Sequence, residues 1–135
     1  MFPWTSELSG FGCTHSSGDC PPSCTGLDWE EQHITADICM AFSRHWRSTA
    51  NLTFLNESWP LVSSACDFWV SRLQRKDATG NWTVKGVVGP DEGAGKRDDE
   101  IYTNAATTSC LQFGVEAAHA LGKDPDPRWA HRRHS

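Results

Sequence analysis

The sequence predicts an all-α fold: about three helices joined by long loops, with one short hairpin-like extended piece. Three observations predict it. Apolar residues recur at three- and four-residue steps through three long windows, as one buried helix face requires. The stretches between those windows are rich in Gly, Pro, Ser and Asp, which interrupt regular structure. Only Trp82, Val84 and Val87-Val88 alternate with the period of an extended chain.

The elements follow in order. Residues 1–29 read as irregular, with Pro, Gly, Ser and Cys throughout. From Glu31 the pattern changes: Ile34, Ile38, Ala41, Phe42 and His45 or Trp46 predict a helix over 31–48. Asn51 to Asn56 reads as a connection. A second helix is expected from Glu57 to Arg75, burying Leu61, Val62, Ala65, Cys66, Phe68, Trp69 and Leu73. Asp77-Ala78-Thr79-Gly80-Asn81 is a turn signal, and the Gly-rich stretch 86–95 is loop. A third helix starts near Asp98–Glu100, with acids in its first turn as the helix dipole prefers, and runs to Leu121. Ala105, Cys110, Leu111, Phe113, Val115, Ala118 and Leu121 would be its buried positions. Gly122 would cap it, and Asp124-Pro125-Asp126-Pro127 would stop the chain from continuing as helix.

The totals exclude several function classes. A chain of 135 residues is one domain at most. No run approaches the roughly 18 apolar residues of a spanning helix, so no membrane partner is expected. Met1-Phe2-Pro3-Trp4-Thr5-Ser6 has neither the basic nor the apolar region of a signal peptide. Net charge is −5 and the basic residues cluster only at His131-Arg132-Arg133-His134, so no nucleic acid is expected as partner. Seven Trp stand against one Tyr. Indole fills cores, but it also stacks on the flat apolar faces of sugars.

Three of the six cysteines, Cys13, Cys20 and Cys24, lie in the Gly/Ser/Pro-rich loop 11–24. A disulfide-closed loop is the expectation, and it requires an oxidising compartment. The alternative is a zinc site of Cys13, His15, Cys20 and Cys24, but the spacing fits no common knuckle and Pro21-Pro22 stiffens the loop, so no metal is expected. The triplets Asn51-Leu52-Thr53, Asn56-Glu57-Ser58 and Asn81-Trp82-Thr83 are glycosylation sequons and point the same way.

Pro90-Asp91-Glu92 follows the apolar pair Val87-Val88. Taken alone, it reads as a solvated turn. A glycosidase, however, needs a carboxylic acid aimed at the leaving oxygen, and an inverting one also needs a carboxylate base roughly 6.5–9.5 Å away. Gly89-Pro90-Asp91-Glu92 followed by Tyr102-Thr103-Asn104 resembles the general-acid loop of glycoside hydrolase family 65, which holds acid trehalases, disaccharide phosphorylases and the glucosidase of glucosylgalactosyl-hydroxylysine. Other stretches follow in that family's order: Phe2-Pro3-Trp4-Thr5-Ser6, Glu31-Gln32-His33-Ile34-Thr35-Ala36-Asp37-Ile38, Phe68-Trp69-Val70-Ser71-Arg72 and the segment Leu121–Ala130.

The resemblance implies that residues 1–130 are part of an (α/α)6 barrel catalytic domain, with 131–135 an unrelated tail. It implies an inverting hydrolase of α-glucosides of the trehalose or glucosyl-galactose type, with a disaccharide phosphorylase or a non-catalytic sugar-binding remnant as alternatives. No cofactor is implied, the partner is a carbohydrate, and the oligomeric state is left open. Glu92 would be the general acid. Phe2, Trp4, Glu31 and His33 would line the sugar pocket. Asp37, Asp91, Tyr102 and Asn104 would support it. The Cys loop after the substrate-side Trp resembles that of secreted acid trehalases and implies an extracytoplasmic setting. The catalytic base would lie downstream, so the chain is expected to be a fragment, inactive alone. It departs from the family at Gly93, where an aromatic is usual, and at Asp98-Asp99-Glu100, where an Asn-rich run is usual.

Overall fold

The computed structural model describes residues 30–75 and 81–131. They form helix α1 (Ile34–Thr49), helix α2 (Leu52–Arg72), strands β1 (Leu73–Arg75) and β2 (Trp82–Val84), a 3-10 turn (Glu92–Ala94), helix α3 (Ile101–Ala120) and helix α4 (Pro127–His131). The architecture is mostly helical, as expected, with a two-strand antiparallel hairpin. The three long helices pack on one another, and α3 also carries α4 and β2 against it.

The core lies where α1, α2 and α3 meet. Trp69, Phe113, Leu55 and Val62 are fully buried there. Each such side chain contributes about 1.5–3 kcal/mol by leaving water. One cysteine from each helix (Cys39, Cys66 and Cys110) is also buried, and all three are free thiols. Burial of Trp69 and Trp129 shows that indole fills core at these two positions.

The face of α1 differs from the expected one. Its buried residues are Thr35, Ala36, Cys39 and Ser43, while Ala41 and His45 are exposed and Ile34, Ile38, Phe42 and Trp46 are only half-buried. Small residues on the contact stripe let the helices approach closely, and the bulky apolar side chains flank it. On α3, Ala105 is likewise exposed.

Helix α2 begins at Leu52 rather than Glu57. The Asn51 side chain caps it by accepting a hydrogen bond from the Phe54 amide at 3.0 Å. The joint with α1 is therefore short, and Ala50 makes it by adopting a left-handed φ of 48°. Pro60 falls inside the helix, where one backbone donor is lost. At the other end the helix stops at Arg72, because Leu73–Arg75 pair with Trp82–Val84 in register Leu73↔Val84. The extended piece thus pairs back to the end of α2, not forward into Val87-Val88. The turn 77–80 lies outside the described residues.

Helix α3 ends as the sequence predicts. Gly122 has φ +66°, and the Lys123 amide donates back to the Ala118 carbonyl at 2.9 Å. The chain resumes as the short helix α4, which was not expected. Trp129 anchors it by burial, and its indole Nε1 donates to Asp67 at 3.2 Å. No helix among the described residues is long and apolar enough to cross a membrane.

Candidate active site

Glu92 stands on a turn that is closed at its base. The Val87 amide donates to the Arg97 carbonyl at 3.1 Å and the Arg97 amide to the Val87 carbonyl at 2.9 Å. Behind this bridge the Gly86 amide donates to the Asp98 carboxylate at 2.9 Å, and the Asp99 amide to the Val84 carbonyl at 3.2 Å. Inside the turn, the Ala94 and Gly95 amides donate to the carbonyls of Asp91 and Glu92, each at 3.0 Å. Residues Pro90, Asp91, Glu92 and Gly93 are exposed. The Arg97 guanidinium also donates to the Ala94 carbonyl, and Glu92 itself lies at the surface.

The root of this turn is held by the start of α1. Val88 is buried, and its amide donates to the Glu30 carbonyl at 3.0 Å. Lys96 Nζ donates to Glu30 Oε1 at 2.6 Å. The next residues are tied to the end of α2: Arg72 Nε donates to Gln32 Oε1 at 2.6 Å, and Arg72 Nη2 to the Lys85 carbonyl at 3.1 Å. Glu31 and His33, on either side of Gln32, are both buried.

The N-terminus of α3 supplies the other wall. Glu100 caps this helix: its carboxylate accepts from the Tyr102 amide at 3.0 Å and from the Thr103 amide and hydroxyl, each at 2.7 Å. Burial pushes the Glu100 carboxyl up. The Thr103 and Tyr102 hydrogen bonds, with the nearby His33 charge, outweigh burial and hold it below the usual carboxylate range. Tyr102 lies edge-on to the His33 ring, 5.6 Å between centroids, and its hydroxyl donates to Asp37 at 2.8 Å. That bond to an anion, with burial adding to it, raises the Tyr102 phenol above its ordinary value.

Of the sequence-predicted residues, the fold brings His33, Asp37 and Tyr102 together and joins the Glu31 segment to the root of the Glu92 turn. Asn104 serves elsewhere. It is buried, its Oδ1 accepts from the Val84 amide at 3.0 Å, and its Nδ2 donates to Asp99 at 2.9 Å and to Thr83 at 3.3 Å, so it pins α3 to the hairpin. Asp99 reaches this position with a left-handed φ of 60°, which Asp tolerates better than most residues. Phe2 and Trp4, and the Cys13, Cys20 and Cys24 loop, lie outside the described residues. Sequence reasoning assigned no site role to Glu30, Gly89 or Glu100, although Gly89 belongs to the acid-loop motif and Glu100 to the acids at the start of the third helix. The cap by Glu100 was readable in principle, because an acid stands just before the third periodic run. A groove lined by Gln112, Val115, Glu116, Trp129 and Ala130 lies far from this site, its α3 residues roughly 17–23 Å along that helix from its N-terminus.

Comparison with known proteins supports the same reading of the chain. Residues 1–128 match the glycosyl hydrolase family 65 central catalytic domain. The chain is 34% identical over 130 residues to a kojibiose hydrolase of Mucilaginibacter mallensis, covering 96% of this chain and 18% of that protein. It is 31% identical over 130 residues to the protein-glucosylgalactosylhydroxylysine glucosidase of Danio rerio, covering 95% of this chain and 19% of that protein. It is 29% identical over 133 residues to the periplasmic/secreted acid trehalase of Candida glabrata, covering 96% of this chain and 10% of that protein. The chain thus spans less than a fifth of the length of these relatives. Because the family match runs through nearly all of its residues, the chain belongs to glycosyl hydrolase family 65.

Proposed function

We propose that this segment supplies the general acid of an inverting hydrolase that cleaves α-glucosides. The observation that carries the reading is Glu92: an exposed carboxyl on a closed turn, rooted through Val88 on Glu30, next in the chain to buried Glu31. In the reaction, Glu92 gives its proton to the glycosidic oxygen as the bond from the anomeric carbon breaks. A water adds to the opposite face of the sugar, and a carboxylate base outside this chain takes that water's proton. Glu31, His33, Asp37 and Tyr102 offer hydrogen bonds to sugar hydroxyls, and Phe2 and Trp4 offer apolar faces. The chain therefore acts as one part of a larger catalytic domain.

The relatives include a kojibiose hydrolase, a glucosylgalactosylhydroxylysine glucosidase and an acid trehalase, which supports a disaccharide-like α-glucoside as substrate. The periplasmic and secreted trehalases among them support an extracytoplasmic setting. The test is Glu92→Gln in the full-length enzyme, assayed on α-linked disaccharides. Loss of at least about a hundredfold in kcat is expected, in the range of acid–base catalysis. Parent-like turnover would remove Glu92 from the mechanism.

A further inference from the structure

We infer that Glu100, seated against Gly89, is the positioning residue that aims the Glu92 turn. This inference rests on the reading of Glu92 as the general acid. Gly89 is buried immediately before Pro90-Asp91-Glu92. A β-carbon at Gly89 would stand 2.5 Å from Glu100 Cδ and 2.8 Å from each carboxylate oxygen. The main chain of the turn therefore lies directly on the carboxylate, and only the absence of a side chain allows it. The carboxylate itself cannot swing away easily, because three donors from Tyr102 and Thr103 hold it. On the other side, the Val88 amide is tied to the Glu30 carbonyl. The turn thus leaves its root between two fixed walls. Pro90 follows with a restricted backbone angle, which passes the direction set at Gly89 on to Asp91 and Glu92. Misplacing a reacting group by about 1 Å can cost roughly a hundredfold in rate, so the seat has catalytic weight without touching substrate.

The cap and the seat are separable. Asp is among the best capping residues, so Glu100→Asp retains a helix cap. It is one methylene shorter and withdraws the carboxylate from Gly89. The experiment compares Glu100→Asp and Glu100→Gln with the parent in the full-length enzyme. The substrates are an α-linked disaccharide and α-glucosyl fluoride, whose fluoride departs with little need of a proton. For Glu100→Asp we expect kcat on the disaccharide to fall about tenfold or more, KM to stay within about threefold, and activity on the fluoride to stay within about threefold. Glu100→Gln, which keeps the length but loses one acceptor, should show the same substrate split. In a Glu92→Gln background neither change should lower disaccharide turnover further.

Parent-like disaccharide turnover in Glu100→Asp would overturn the inference. So would an equal loss on both substrates, because a purely structural role lowers both alike. The two readings fail differently. If Glu92→Gln is itself silent, the general-acid assignment falls and the positioning role falls with it. If Glu92→Gln is severe but Glu100→Asp is silent, only the positioning role falls.

Discussion

Gly114→Ala is the sharpest test of the packing between α2, α3 and α4. A β-carbon at Gly114 would lie far inside van der Waals contact with Cys66 Sγ and 3.3 Å from Trp129 Cε3. The sulfur has little room to retreat, because Cys66 is fully buried and its thiol donates to the Cys110 carbonyl at 3.5 Å. Forcing an extra carbon into such a core costs about 1–3 kcal/mol. Alanine in place of a helical glycine returns about 1 kcal/mol of helix propensity. With the clash fixed on both sides, the packing cost exceeds the propensity gain, and a net loss of up to about 2 kcal/mol is expected. Urea unfolding followed by tryptophan fluorescence measures it, as a lower midpoint with unchanged slope. Cys66→Ala removes the obstructing sulfur, so the double variant should be more stable than the sum of the single changes predicts, by about 1 kcal/mol. A Gly114→Ala protein more stable than the parent, or strict additivity with Cys66→Ala, would refute the packing argument.

Two further predictions concern the core and the hairpin. Asn104→Leu should cost about 1–3 kcal/mol for each buried group it orphans, the Val84 amide first, and hydrogen exchange at Val84 should quicken selectively. Unchanged exchange would show that Asn104 does not hold the hairpin. Hydrogen bonding to Cys39 and Cys66, with burial adding to it, pushes the Cys110 thiol well above its ordinary value. The folded state therefore binds this proton more tightly than the unfolded one. The stability it contributes is whole below the ordinary thiol value of about 8.5 and is lost as pH rises beyond it, at about 1.4 kcal/mol per pH unit. Urea midpoints at successive pH values should converge for the parent and Cys110→Ala across that window, and parallel curves would contradict the assignment.

The helices were legible because their signals are local. The periodic runs, the acids before α3, Gly122 and the Asp-Pro repeat all act within a turn or two of the backbone, and α3 begins and ends close to where they place it. The Pro90-Asp91-Glu92 turn was legible for the same reason. The face of α1 was not, because apolar spacing marks the bulky residues, whereas the buried stripe consists of the small ones that admit a neighbouring helix. Leu73–Arg75 was misread because its helical continuation competes with a strand partner at Trp82–Val84 that no local pattern reveals.

For the site, the sequence by itself determined which residue types were available: a carboxylate on a turn, a His and an acid at the start of one helix, a Tyr at the start of another. The tertiary structure alone decided their company. Tyr102 meets Asp37 across 65 positions and Lys96 meets Glu30 across 66. Glu100 meets Gly89 because the bridge Val87↔Arg97 folds the turn back on itself. Such contacts depend on where whole helices dock, which is set by buried area and close packing over the entire core rather than by any neighbour in the chain.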